Sequence, residues 1–228
     1  MKQSIGGLNY AKDEIEKALE IVCESHNLIL AQVWFPFDKT HVVKLTDHYV
    51  FGTERYDVPS NNAKYCYICD MLPLKNGEGL VWKTLQTYEP HFCRDTSKMS
   101  GSGLLWQLST LTKCSIFMIC LRSIDTGDLD YVFEFLWPQS RNYFVMLQTL
   151  LSTLKGCLPI FKFASGAEIG DELHITDVEN STGTGIGFFK IFEENRLSLW
   201  KKEYHSRGSL SSGFAKAFFE RNDGIIFG

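Results

Sequence analysis

The chain has 228 residues, an apolar fraction of 44%, a formal net charge of -4 and a pI near 5.9. This length and apolar content suffice for one large domain with a buried core, or for one domain with an extension. The acidic balance argues against nonspecific nucleic-acid binding by this chain alone, because such binding normally needs a clustered basic face. No run of about 18 uncharged apolar residues occurs, so a membrane-spanning helix is not expected.

The N-terminal part predicts an amphipathic helix followed by two strands. The helix is expected at about residues 11–25, because apolar residues recur there at the spacing of one buried stripe. The stripe consists of Ile15, Ala18, Leu19, Val22 and Cys23. Residues 28–35 are typical of a strand that Pro36 ends, and a second strand at about 41–44 is expected to pair with it antiparallel. No firm structure is predicted for residues 46–62.

The middle of the chain predicts short helices separated by turns. The segment AKYCYICDML, from Ala63, is typical of a short helix. Gly77 and Gly79 flank Glu78 ahead of LVWKTLQ, which indicates a tight turn into a second helix. Residues 91–95 are expected to be extended, and residues 104–113 to form a third helix.

The clearest secondary structure is a β-hairpin within residues 111–138. Its first arm, residues 115–122, is almost wholly apolar, which suits a strand buried on both faces. Its second arm, residues 131–137, is rich in aromatic and β-branched residues, and Glu134 is its only charge. The SIDTGDLD segment between the arms supplies turn residues, and Pro138 ends the second arm.

After the hairpin, a helix is expected at about residues 141–158, ended by Pro159. Its apolar stripe consists of Phe144, Leu147, Leu150, Leu151 and Leu154. Beyond Gly166 the sequence becomes polar and glycine-rich, so we predict a domain at residues 8–165 and, at 166–228, a polar linker with a partly disordered tail. The elements together predict an α+β fold, an antiparallel sheet flanked by helices with an irregular C-terminal extension.

Several blocks of sequence carry a family resemblance. GEGLVWKTLQTYEPHFCRD resembles the middle of GAF domains. GLNYAKDEIEKALEIVCESHNLILAQVWFP, ICLRSIDTGDLDYVFEFLWP and FKFASGAEIGDEL resemble the N-terminal regulatory region of the NIN-like proteins, plant RWP-RK transcription factors of nitrate signalling. The blocks occur in the order found in that family and cover roughly residues 5–180.

The resemblance implies a GAF-like regulatory module that catalyses no reaction, needs no cofactor and acts in nitrate-responsive transcription. It also implies protein partners in a transcription complex, no membrane association and a nuclear and cytoplasmic location. The RWP-RK DNA-binding segment and the Phox/Bem-type interaction domain do not occur in the sequence, so direct DNA binding by this chain is not expected. The apolar ending GIIFG fits a truncated or mispredicted gene model. A stand-alone fragment that pairs with full-length relatives, without ligand sensing, is the alternative.

Nitrate is the ligand that the resemblance implies. A planar monoanion needs convergent donors, which a helix start, a guanidinium, an imidazole or a hydroxyl supplies best. The candidate donors near a GAF cleft are His91, Arg94, Arg122 and Tyr131. Each of them also has a purely structural alternative: for Arg122 it is an ion pair with Asp125 or Asp128, and for Tyr131 it is the role of an ordinary strand aromatic.

Two tryptophans depart from the family pattern. Trp82 stands where family members usually have glycine, and Trp106 stands where they have the histidine of a proline-leucine-x-histidine stretch. Two indoles in place of a glycine and an imidazole add bulk and remove a donor. We therefore expect these residues to fill the pocket, or the pocket to bind something less polar than nitrate.

The cysteines allow three interpretations. The N-terminus has no apolar signal segment, so the seven cysteines are expected to stay reduced, with Cys23, Cys114 and Cys120 in the core. Cys66 and Cys69 form a C-x-x-C, but no second ligand pair stands at suitable spacing, so no metal site is predicted. A methionine sulfoxide reductase, as in some GAF domains, is the enzyme alternative. It would use Cys66, Cys69 and Cys93 and would need a thiol of depressed pKa.

Overall fold

The predicted hairpin forms the middle of one mixed sheet. The computed structural model describes residues 5–49, 61–71, 73–77, 79–98, 114–125, 129–139, 142–171, 173–178 and 187–191. Within these ranges the helices are α1 (Ile5–His26), α2 (Asn61–Met71), α3 (Gly79–Thr87) and α4 (Tyr143–Cys157), and one turn of 3-10 helix spans Thr96–Lys98. The strands are β1 (Leu30–Pro36), β2 (His41–Tyr49), β3 (Leu74–Lys75), β4 (His91–Cys93), β5 (Cys114–Ser123), β6 (Asp130–Pro138), β7 (Phe161–Phe163), β8 (Leu173–Asp177) and β9 (Gly187–Ile191).

The strand order is β3-β2-β1-β6-β5-β4-β8-β9, and β7 pairs with one end of β5. All pairs are antiparallel except β4 with β8. The predicted α+β class, a largely antiparallel sheet flanked by helices, is therefore confirmed. No helix in the described ranges is both long and apolar enough to cross a membrane.

Strands β5 and β6 pair from Cys114 with Pro138 through to Arg122 with Asp130, which confirms the hairpin. Nearly every side chain in both arms is buried, as the apolar composition of the first arm predicts. The reason is that both faces of the sheet are covered by helices. Part of the connecting turn, residues 126–128, lies outside the described residues.

The sheet separates two apolar cores. Helices α1 and α4 cover one face, where Ala31 of β1 and Phe133 of β6 point. Helices α2 and α3 cover the other face, which receives Leu30 and Val132 from the same strands. Because successive strand residues point to opposite faces, each inner strand contributes alternate residues to each core.

Helix α1 confirms the predicted stripe, since Ile15, Leu19 and Val22 are fully buried. The helix ends where Asn27 adopts a positive φ of 51° and the Leu28 N–H donates to the Cys23 carbonyl at 3.2 Å. This is a Schellman-type ending, in which asparagine replaces the usual glycine. The sequence shows the interruption at residues 26–27 but not this geometry.

The other predicted helices and strands are also present, with shifted ends. Helix α4 buries Leu147, Leu150, Leu151 and Leu154 as expected, whereas Phe144 is only half-buried. Strand β2 continues to Tyr49, so the segment predicted to lack firm structure begins later than residue 46. The predicted helix at 104–113 lies outside the described residues.

The sheet continues past the boundary predicted at Gly166. Strand β8 pairs in parallel with β4, joining His91 to Thr176, and β9 then pairs with β8. Leu173 and Ile175 of β8 are buried in the α1/α4 core. The alternating pattern of LHITD is short and flanked by polar loops, which is why composition alone indicates a linker there. Residues 192–228 lie outside the described residues.

The turn before α3 allows a test of whether its glycines are needed for their positive φ angles. Gly77 and Gly79 have φ values of +82° and +73°, and a Cβ at Gly79 would meet no atom within 4 Å. Gly79→Ala should therefore lower the free energy of unfolding by about 1 kcal/mol through backbone conformation alone. Urea denaturation of the 228-residue chain measures this change.

Gly156→Ala is the matched control, since Gly156 lies inside α4 and also has open space around its Cβ position. It should raise stability by up to about 1 kcal/mol, because alanine favours a helix over glycine. Destabilisation of equal size at both positions would contradict the assignment of the Gly79 turn.

Candidate functional site

Polar side chains form a row across the face covered by α2 and α3, at the level of β4 to β1. His91 pairs with Met118, Met118 pairs with Glu134, and Glu134 pairs with Gln32 in the strand registers. All are fully buried. Paired residues project to the same face, so the row places an imidazole and a carboxylate two strand spacings apart, roughly 10 Å.

The carboxylate of Glu134 is the centre of this row. Gln32 Nε2 and Trp34 Nε1 donate to its Oε2 at 2.7 and 2.8 Å, and the Tyr65 hydroxyl donates to its Oε1 at 2.8 Å. Gln32 Nε2 also lies 3.6 Å from Cys69 Sγ. Both carboxylate oxygens are therefore hydrogen-bonded, and the donors come from β1 and α2.

Burial raises the pKa of Glu134, while hydrogen bonds from Gln32, Trp34 and Tyr65 and the charge of Lys44 oppose this shift. Burial likewise raises the pKa of the Tyr65 hydroxyl, and the neighbouring Glu134 charge adds to the shift. These shifts reflect a site where a charge has little access to water. Lys44 lies at its rim, paired with Asp47 at 2.6 Å and also with Asp70.

His91 forms the other end of the row. Its Nδ1 lies 3.0 Å from Thr84 Oγ1, which joins β4 to α3. Burial, together with the nearby charge of Lys83, lowers the pKa of His91 to about 4. The imidazole is therefore neutral near pH 7, and its Nε2 is buried without a hydrogen-bond partner.

Among the described residues, three buried atoms on this side of the sheet lack partners: Gln32 Oε1, Trp82 Nε1 and His91 Nε2. Gln32 Oε1 can only accept, the Trp82 indole can only donate, and the role of His91 Nε2 depends on the tautomer. Buried polar atoms are normally paired, so such atoms mark positions for water or a small ligand.

Arg122 and Asp130 form an ion pair at the end of the same face. Arg122 Nε donates to Asp130 Oδ1 at 2.7 Å and Nη2 donates to Oδ2 at 3.0 Å, while the Tyr88 hydroxyl also donates to Oδ2 at 3.0 Å. The partner is thus Asp130 rather than Asp125, because Asp130 stands opposite Arg122 in the hairpin register, and Asp128 lies outside the described residues. The bidentate pair occupies the guanidinium that the sequence suggested as a nitrate donor.

The remaining two predicted donors lie on the opposite face. Tyr131 is fully buried in the α1/α4 core, where its ring packs edge-to-face on Phe161. The guanidinium of Arg94 lies 4.2 Å from the ring centre of Tyr143 at the start of α4. The four predicted donors therefore do not converge. Among the described residues, His91 Nε2 and Arg94 Nε are both buried without a hydrogen-bond partner, on opposite faces of the sheet.

Of the two tryptophans predicted to fill the pocket, Trp82 packs in the core between the sheet and α2 and α3, and 6% of its surface is exposed. Trp106 lies outside the described residues, so its predicted role stays a prediction.

The cysteines of the described residues are free thiols. Cys23, Cys114 and Cys120 are buried, as predicted. Burial raises the pKa of Cys69, and the Glu134 charge raises it further, so this thiol lacks the depressed pKa that a redox enzyme needs. Within the described ranges, no three His, Cys, Asp or Glu side chains are grouped as a metal ion would require.

Comparison with known proteins identifies the domain. A family model described as the NLP protein GAF domain matches residues 5–164. The chain belongs to this family. The match covers α1 through β7 and thus the whole polar row, which confirms the resemblance to the NIN-like proteins.

Named relatives agree with this assignment. The chain is 27% identical to Protein NLP7 of Arabidopsis thaliana in an alignment of 188 positions that covers 70% of this chain and 19% of that protein. It is 30% identical to Protein NLP1 of Oryza sativa subsp. japonica in an alignment of 208 positions that covers 84% of this chain and 20% of that protein. The chain thus spans about a fifth of the length of these relatives. Among solved structures, a GAF domain/HD domain protein from Geobacter sulfurreducens aligns with a TM-score of 0.46 and 14% identity, covering 69% of this chain and 95% of that one.

Sequence reasoning missed most of the polar row of this NLP GAF domain. The sequence marks Glu134 only as the single charge of an apolar strand, and no local pattern singles out Gln32, Trp34 or Tyr65. The available signal was a charged residue within a strand that is otherwise apolar, since a buried carboxylate requires donors nearby. The identity of these donors depends on tertiary contacts, because each donor lies 69 to 102 positions from Glu134 in the sequence.

The buried imidazole predicts a pH dependence of stability. The unfolded chain binds a proton at His91 below about pH 6.5, but the folded chain resists doing so until about pH 4. The free energy of unfolding should therefore fall as the pH drops through this window, by up to about 3 kcal/mol from this residue. In urea denaturation at several pH values, the free energy of unfolding of His91→Gln should fall less between pH 6.5 and 4 than that of the wild type.

If the free energy of unfolding of the His91 variant falls between pH 6.5 and 4 as much as that of the wild type, the buried neutral imidazole is not the cause of this pH dependence.

Proposed function

We propose that this chain is a regulatory module of a NIN-like transcription factor that acts in nitrate-responsive transcription through ligand or partner binding. It catalyses no reaction and works in the nucleus and cytoplasm. The observation that carries the proposal is the NLP GAF domain match over residues 5–164. DNA binding would depend on an RWP-RK segment, and residues 1–228 do not contain one.

The buried polar row supports ligand binding on the face of α2 and α3. His91 Nε2 and the Trp82 indole could each supply a donor to a small oxyanion, His91 only in the tautomer that protonates Nε2. A neutral imidazole donates without bringing a charge of its own, and the nearby Glu134 disfavours a second anion. Nitrate binding through this face is accordingly expected to be weak.

Calorimetry of the 228-residue chain with nitrate tests direct sensing. Heat at millimolar nitrate that is absent with chloride at equal ionic strength would support it. His91→Gln should remove the heat, because it removes the imidazole donor. Lys12→Gln, which removes an exposed positive charge on α1, should leave the heat unchanged and controls for nonspecific anion attraction.

Absence of heat at millimolar nitrate would discard direct sensing by this chain. Heat that persists in the His91 variant would place the anion elsewhere and overturn the role given to His91.

A second candidate is an interaction module that pairs with full-length relatives and senses no ligand. It is favoured by the occupied donors: Arg122 is paired with Asp130, and the donors around Glu134 are satisfied within the chain. Co-elution with a full-length family member, independent of nitrate, would favour this candidate over ligand sensing.

The sulfoxide reductase is disfavoured by the raised pKa of Cys69. Turnover of free methionine sulfoxide that disappears when Cys66, Cys69 and Cys93 are replaced would overturn the proposal of a noncatalytic module.

A further inference from the structure

The donors around Glu134 have the arrangement of an oxyanion-binding site. Gln32 and Trp34 are separated by one residue on β1, so their side chains project to the same face. Both donate to one carboxylate oxygen, at 2.7 and 2.8 Å, and Tyr65 donates to the other at 2.8 Å from α2. An indole N–H can only donate, which fixes the polarity of the Trp34 contact.

The site is closed to solvent. Glu134, Gln32 and Trp34 are 0% exposed and Tyr65 is 3% exposed. A carboxylate in such surroundings is stabilised by hydrogen bonds from fixed donors, which are stronger to an ionised acceptor than to a neutral one. The three hydrogen-bond donors are neutral, and the charge of Lys44 at the rim also favours the ionised carboxylate.

Helix α2 contacts this site through two buried side chains, and its exposed Asp70 also pairs with Lys44 of β2. Of its described side chains, Tyr65 and Cys69 are buried, whereas Tyr67, Asp70 and Met71 are exposed. Tyr65 and Cys69 are four residues apart, so they lie on one stripe of the helix, and both contact the Gln32–Glu134 pair. The buried side chains of α2 that the structure describes therefore meet the Gln32–Glu134 pair.

We propose that Gln32, Trp34 and Tyr65 form a binding site for a small planar carboxylate whose occupant is the chain's own Glu134. Glu134 acts as an internal ligand that fixes α2 on the sheet without any molecule from solution. The proposal extends the proposed regulatory function and does not depend on nitrate binding.

Chemical rescue tests the site in the 228-residue chain. Glu134→Ala removes the carboxylate and leaves three donors unpaired around a cavity, so its Tm should fall by roughly 10 °C. Added formate or acetate should restore several degrees, because a small carboxylate can re-enter the site. Chloride at the same ionic strength should not restore the Tm.

Glu134→Gln is the matched control, since its amide keeps the shape, accepts from Trp34 and can donate to the Tyr65 oxygen. Its Tm should fall less than that of the alanine variant. Formate should raise the Tm of this variant and of the wild type no more than chloride does at the same ionic strength. Formate that fails to raise the Tm of folded Glu134→Ala, or that raises all three proteins equally, would overturn the proposal.

Tyr65→Phe provides a measurement that does not require the alanine variant to fold. It removes only the α2 donor, so amide hydrogen exchange in α2 should accelerate at least about tenfold, while exchange in α4, on the opposite face, stays unchanged. Unchanged exchange in α2 would show that the contact does not hold the helix and would overturn the proposal. Nitrate heat is a separate measurement, so failure of either proposal can be distinguished from failure of the other.

Discussion

The buried carboxylate of Glu134 constrains the structure more than any other described group. An ionised side chain without access to water is costly unless donors meet it at hydrogen-bonding distance. Here those donors come from β1 and α2, while the carboxylate comes from β6. The positions of these three elements are therefore set together: a shift of β1 by one residue would turn Gln32 and Trp34 to the other face and leave the charge unpaired.

The same alternation divides the candidate ligand residues. His91 begins β4 and Arg94 directly follows its last residue. Arg122 and Tyr131 lie on the two paired arms of the hairpin. Both pairs are split between the two faces, because strand residues of opposite parity point in opposite directions. Proximity in the sequence therefore does not bring them into one cleft. The two arginines are also held apart by their own contacts, because Arg122 binds Asp130 and Arg94 lies over Tyr143.

The electrostatics of the α2/α3 face do not match those of a simple anion receptor. Burial keeps His91 neutral and raises the pKa of Glu134, so the two ends of the polar row respond to pH in opposite senses. Protonation of His91 lowers the free energy of unfolding as the pH falls. Ionisation of Glu134 lowers it as the pH rises above the ordinary pKa of a glutamate. Burial thus opposes the charged form of both groups, but at Glu134 the hydrogen bonds from Gln32, Trp34 and Tyr65 and the charge of Lys44 offset part of that cost.

The sequence by itself determined the main helices, the central hairpin and the family. Apolar periodicity located α1, α4 and the central hairpin, and paired glycines located the turn into α3, because these features depend on local spacing and backbone freedom. Blocks of family sequence identified the GAF-like domain. The tertiary structure alone decided which residues meet: the partner of Arg122, the burial of Tyr131 in the α1/α4 core, the pairing of β8 with β4, and the donors around Glu134. The last of these contacts join residues 69 to 102 positions apart, and their formation depends on strand order and register, which no local pattern encodes.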